Sequence, residues 1–179
     1  MYGIYVRTPR LLRDATRAAN GQHDARDVKK RAVEMRILIK DAYDHWWSDL
    51  VRCGDAPAEI PSHDPVVETA YANKDFFLPG FKCSYHATLI LIDQVLMDLC
   101  QRDLTGENMD EVRELKIECE DASEEICRCT FGMAESKLLW RVYFPFWLHV
   151  AVQECRPELR GWIRGKMEVV GDRPNMTSE

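Results

Sequence analysis

The sequence predicts an all-α fold, a single-domain bundle of about six helices, and three observations predict it. Apolar residues recur every three or four positions over most of the chain, the period of a helix packed on one face. No run combines strict alternation with hairpin turn residues, the pattern that strands would leave. Prolines, glycines and capping residues fall between the periodic stretches, where helices begin and end. At 179 residues and 46% hydrophobic, the chain has the size of one domain and buries roughly 70% of the surface its unfolded form exposes.

Thr8 as N-cap and Pro9 at the first helical position open a short basic helix that ends near Asn20 and Gly21, where a left-handed cap fits. Asp24 caps a long helix to about Arg52, with Val28, Ala32, Met35, Ile39, Ala42, Tyr43, Trp46 and Leu50 on its apolar face, and Gly54 ends it. The stretch 54–80 holds Pro57, Pro61 and Pro65 without sustained periodicity. It reads as a long connecting loop, with a short helix around 66–72, of the kind that covers something. Residues 84–103 form the most apolar helix, 107–129 an acidic amphipathic one, and 135–154 an aromatic-rich one kinked at Pro145, which cannot donate to the helical ladder. A last helix starts at Pro157 and carries Leu159, Trp162, Ile163 and Met167 before Gly171, and the tail 172–179 is expected to fray.

Composition excludes several function classes. A net charge of −6 opposes the basic surface that phosphate binding requires, so no direct nucleic-acid partner is expected. The longest apolar run, 87–92, stops at Asp93, far short of the ~20 residues that span a bilayer. Arg7, Arg10 and Arg13 interrupt the opening before any signal-like apolar stretch develops, so the expected location is cytoplasmic. Seven cysteines give one C-x-C and no C-x-x-C, which indicates neither a disulfide framework nor a zinc site; most read as core thiols, with Cys53, beside Gly54 and Asp55, as the exposed one. His23, His45, His63, His86 and His149 form no metal-ligand pair at helical spacing. No catalytic or phosphate-binding motif occurs, and neither a metal nor a cofactor is implied.

Three segments carry a resemblance. Residues 81–98, FKCSYHATLILIDQVLMD, have an aromatic-led entry before a Leu/Ile run; residues 122–129 read ASEEICRC; residues 144–151 read FPFWLHVA, with Trp162 beyond them. In this order they resemble the C-terminal part of the fungal-specific transcription factor domain, which follows a Zn(II)2Cys6 DNA-binding cluster. The resemblance covers most of the chain after about Pro9 and implies a helical fold that packs, dimerises or receives signals. The cluster needs six closely spaced cysteines, whereas the first one here is Cys53, so DNA binding is not implied. Cys129 stands where the family has serine.

Among polar residues, His86 and Asp93 are the most informative, seven apart on the apolar helix and therefore on one stripe with Leu89, Ile90, Met97 and Cys100. A buried carboxylate costs several kcal/mol unless paired, so Asp93 needs a partner, a proton or a wet cavity. The pair reads either as a satisfied structural couple or as the polar point of an apolar pocket. Tyr85 and His149 join them as candidate catalytic donors, and Trp46, Trp140, Tyr143, Trp147 and Met97 as candidate pocket walls, although aromatic stripes at helical spacing are commonly core. The acidic helix reads as a solvated face. Two functions remain. One is a stand-alone helical protein that encloses an apolar small molecule and serves fungal natural-product biosynthesis as a cofactor-free cyclase or pericyclase. Such chemistry needs a near-attack geometry and a hydrogen bond to an activating carbonyl rather than a motif. The other is a non-catalytic interaction or dimerisation module of a regulator without its DNA-binding cluster, acting as a homodimer and nuclear in location.

Overall fold

A computed structural model describes residues 2–72, 77–102, 109–131 and 140–171. The predicted all-α bundle is what it shows: α1 (Tyr2–Ala19), α2 (Ala25–Cys53), α3 (Phe77–Arg102), α4 (Met109–Phe131), α5 (Trp140–Glu154) and α6 (Pro157–Gly171), with a small hairpin of β1 (Ala58–Pro61) and β2 (Thr69–Ala72) between α2 and α3.

The caps explain the helix ends. Asp24 is extended and its carboxylate accepts from the Arg26 N–H, which opens α2. Gly54, at φ 76°, closes α2, with the Asp55 N–H on the Leu50 carbonyl at 3.0 Å and the Gly54 N–H on Val51 at 3.1 Å. That pairing satisfies the carbonyls of the last turn, and only glycine enters this backbone region at no steric cost. Gly21, at φ 70°, ends α1 as the sequence indicates.

Two expectations are corrected. Pro9 does not start α1 but lies inside it. The helix accepts the lost backbone bond because Thr8 and Leu11 are buried and Tyr5, Leu12 and Ala15 pack against the same core. The short helix expected around 66–72 does not form: Thr69–Ala72 is instead one arm of the hairpin, paired antiparallel with Ala58 opposite Ala72 and Pro61 opposite Thr69. Pro61 is tolerated because it sits at the end of a two-stranded sheet, which is all edge. Asp64 turns the chain between the strands, its Oδ1 accepting from the N–H groups of Val66 at 2.9 Å and Val67 at 3.4 Å. Its Oδ2 takes the Trp162 indole N–H at 2.7 Å, tying the turn to α6. α3 begins at Phe77, earlier than expected, with Pro79 and Gly80 in its first turn, where a missing N–H costs nothing.

α3 is the axis of the bundle. It packs on α1, α2, α4 and α5, and its buried residues run round its whole circumference, as for a helix enclosed on all sides. Ile90, Ile92 and Leu96 from α3, Ile126 from α4, Leu148 from α5, Ile163 from α6 and Ile39 from α2 fill the core. Six cysteines are buried and Cys53 is exposed; burial pushes the Cys83, Cys119 and Cys127 thiols above the usual range. No helix among the described residues is long and apolar enough to cross a membrane.

Candidate functional site

The N-terminal half of α3 gathers aromatic and titratable side chains from four elements. Tyr85 lies face to face with Tyr43 of α2, ring centroids 3.7 Å apart and planes 8° from parallel. Tyr43 in turn stacks on Trp47 at 6.1 Å and 12°, so the three rings form one stack. Trp46 extends it, 5.5 Å from Tyr43 and 4.7 Å from Phe81. The His86 ring stands at a steep angle to this stack, its centroid 4.8 Å from that of Tyr85 and 5.7 Å from that of Tyr43.

His86 is only 9% exposed, and neither Nδ1 nor Nε2 has a hydrogen-bond partner among the described residues. Burial drives its pKa down to about 3, against the pull of the nearby Glu125 charge. The ring is therefore neutral at physiological pH, with one N–H donor and one bare lone pair.

Beside it stands an interior ion-pair cluster that the sequence reading missed. Lys82, one turn before His86 and 4% exposed, places Nζ 2.5 Å from Glu125 Oε2 of α4. Its ammonium also lies 3.7 Å over the Tyr71 ring and 4.8 Å from that of Trp47, a cation–π box. The Tyr71 hydroxyl donates to Glu125 Oε2 at 2.8 Å. Arg128, one turn along α4, reaches Glu125 Oε1 at 2.5 Å and Glu59 of β1 at 2.8 Å. Burial works against the Glu125 carboxylate, but the Lys82 ammonium and the Tyr71 hydroxyl outweigh it and hold its pKa below the usual range. Burial raises the Tyr43, Tyr71 and Tyr85 phenols far above theirs. The His86 imidazole and the three phenols are therefore neutral near pH 7.

The remaining sequence-derived candidates lie elsewhere. Asp93 is two turns further along α3, about 10 Å at 1.5 Å per residue, so it and His86 cannot grip one polar group together. It is fully buried, and its Oδ1 accepts from Arg36 Nε at 2.7 Å; Arg36 also pairs with Glu118, which Lys40 reaches at 3.2 Å. Met97 and Trp147 are buried in the core cluster. Tyr143 is 58% exposed and His149 is exposed on the same outer side of α5. The side chain of Trp140 lies outside the described residues. Among the described residues of the predicted set, His86, Tyr85 and Trp46 gather around Tyr43, while Tyr143 and Trp147 stack on each other on α5 at 6.2 Å.

A separate cleft of about 350 Å³ lies between α1 and α3, with Leu12, Ala15, Leu91 and Leu99 among its walls and Gln94, Asp98 and Arg102 among its polar groups. Met97 does not line it, and none of the predicted donors reaches it. No group of His, Cys, Asp and Glu side chains arranged to hold a metal ion occurs among the described residues. Compared with protein-family models, curated proteins and solved structures, the chain finds no match.

Proposed function

We propose that this protein binds a small molecule with a planar, largely apolar body beside the Tyr85–Tyr43–Trp47 stack, with the neutral imidazole of His86 hydrogen-bonded to one of its polar atoms. The observation that carries this reading is the buried imidazole with both nitrogens unpartnered. An unsatisfied buried polar group costs about 1–3 kcal/mol, so a leucine would be cheaper there unless a ligand completes the bonding. A few convergent polar groups in an aromatic wall is the usual make-up of a small-molecule site.

The chemistry that suits the arrangement is rearrangement within one bound molecule. Flat rings hold a flexible chain in a reactive conformation, and an N–H aimed at a carbonyl oxygen stabilises charge that develops on it. A concerted pericyclic rearrangement asks no side chain to exchange a proton. The resemblance to a fungal regulator domain is what points this reading toward natural-product biosynthesis. A second reading, an interaction or homodimerisation module, draws on Ile37 and Leu38, large apolar residues exposed in the middle of α2.

The test uses 2-naphthamide, a planar aromatic with one carbonyl, followed by quenching of tryptophan fluorescence. Saturable binding that weakens at least tenfold in His86→Phe, with an unchanged far-UV spectrum, supports the small-molecule site. Binding that is unaffected by His86→Phe removes His86 from it. Sedimentation velocity on the same samples reports on the second reading: a dimer that dissociates in Ile37→Glu supports it.

A further inference from the structure

At the C-terminal end of α3, away from His86, three helices bring a thiol, an amine and a carboxylate together. Cys100 of α3 donates its S–H to Oε2 of Glu111, in the first turn of α4, at 3.4 Å. Lys29 of α2 donates to the same oxygen at 3.1 Å, and the Lys29 and Cys100 side chains are within hydrogen-bonding reach of each other. The five other buried cysteines belong to the apolar core cluster, and Cys100 does not. Cys100 is itself only 2% exposed, but the side chains of its two partners are 33% and 42% exposed. The group therefore stands where the core meets water, within reach of a small oxidant.

We propose that Cys100 and Lys29 are an oxidative modification site, at which a hydroperoxide converts the pair into a sulfenyl amide, a covalent S–N link between α3 and α2. Burial pushes the Cys100 thiol above its usual range, so at neutral pH it keeps its proton and needs a base to react. Glu111 is a carboxylate in contact with that proton. In the first step Cys100 Sγ attacks one oxygen of hydrogen peroxide, an S–O bond forms and the O–O bond breaks. The thiol proton passes through Glu111 to the departing oxygen, which leaves as water. Sulfur is oxidised by two electrons to a sulfenic acid and the peroxide is reduced. In the second step Lys29 Nζ, having released its ammonium proton to solvent, attacks Sγ. An S–N bond forms, the S–O bond breaks, and the hydroxyl leaves with one amine proton as a second water. Sulfenic acids condense with nitrogen in this way, and holding the two groups on neighbouring helices makes the step intramolecular. Burial works against the Lys29 ammonium, but Cys100 and Glu111 outweigh it and raise its pKa, so the second step is favoured by mildly alkaline solution.

The test treats the full chain, carrying Cys53→Ser to remove the exposed thiol, with hydrogen peroxide at pH 8, followed by protease digestion and mass spectrometry. The expected product is one species in which the peptides of Lys29 and Cys100 are joined, two hydrogens lighter than their sum, and separated again by dithiothreitol. The same treatment in denaturant is expected to leave them unjoined, because the link depends on the folded geometry. Lys29→Arg keeps the charge but is expected to abolish the link and leave Cys100 as a sulfenic acid that dimedone traps. Glu111→Gln is expected to slow dimedone labelling of Cys100 at least fivefold. The linked protein closes a long loop, which restricts the unfolded chain, so its urea midpoint rises and falls back on reduction. Oxidation of Cys100 to a sulfinic acid with Lys29 free overturns the proposal. So does a folded protein in which Cys100 resists peroxide, or in which it joins a different lysine. Where a variant does not fold, the folded-against-denatured comparison on the parent decides.

Discussion

Arg36 of α2 donates from Nε to Oδ1 of Asp93 at 2.7 Å, while Oδ2 of the same fully buried carboxylate has no partner among the described residues. One oxygen is served and the other is stranded. Burial raises the Asp93 pKa to about 6, against the pull of Arg36. A carboxyl whose folded pKa exceeds its unfolded value binds protons more tightly in the folded state. Its contribution to stability therefore falls as pH rises from about 4 to about 6 and is level above that. The expected span is at most about 3 kcal/mol, two pKa units at ~1.4 kcal/mol each. Urea unfolding at pH 4, 5, 6 and 7 checks it: the difference between the parent and Asp93→Asn shifts in favour of Asn as pH rises to 6. A difference that shifts toward Asp93 over the same range contradicts it.

Lys82 and Glu125 are an interior pair, so removing one partner strands the other. Lys82→Met or Glu125→Gln alone is expected to cost about 3–5 kcal/mol, and the double variant clearly less than the sum of the two. A double-mutant cycle by denaturant unfolding measures the coupling. Additive losses would mean that the two side chains act independently.

Trp162 and Asp64 join α6 to the turn of the hairpin. Trp162→Phe keeps the ring's packing and removes the N–H, for an expected loss of about 1–2 kcal/mol. Because Asp64 also organises the turn, amide exchange at Val66 and Val67 should speed up while α3 amides stay protected.

Ile90, on α3 and fully buried, has no room to be replaced by water. Ile90→Ala is expected to cost about 3 kcal/mol and to lower the Tm by roughly 10 °C for a chain of this size, read by differential scanning calorimetry.

The main helices were legible because their signals are local. Asp24, Gly54 and Pro157 mark helix ends by their own backbone and side-chain chemistry, and the 3.6-residue period of Val28, Ala32, Met35 and Ile39 needs no knowledge of a partner. The hairpin was not legible: β1 is exposed at every position, so it leaves no alternation to read. The burial of Asp93 could be argued from its stripe, but its partner Arg36 is 57 positions away and nothing local links them. Nothing local marks Lys82 and Glu125 as partners: Glu125 stands in a row of acidic residues that resembles a solvated face, and Lys82 lies on a different helix. The available signal was the spacing of Lys82 and His86, one turn apart on a helix that is otherwise almost wholly apolar.

What meets the unpartnered nitrogens of His86 decides whether this is a ligand site. Long-range ¹H–¹⁵N spectra of the imidazole, recorded during titration with 2-naphthamide, test this most directly. The result expected is a His86 nitrogen signal that stays neutral in type, shifts progressively and saturates together with quenching of the Trp46 and Trp47 fluorescence. A His86 signal that does not move while amides of Leu12, Ala15 and Leu99 do would place the ligand in the α1–α3 cleft and contradict the assignment of this site.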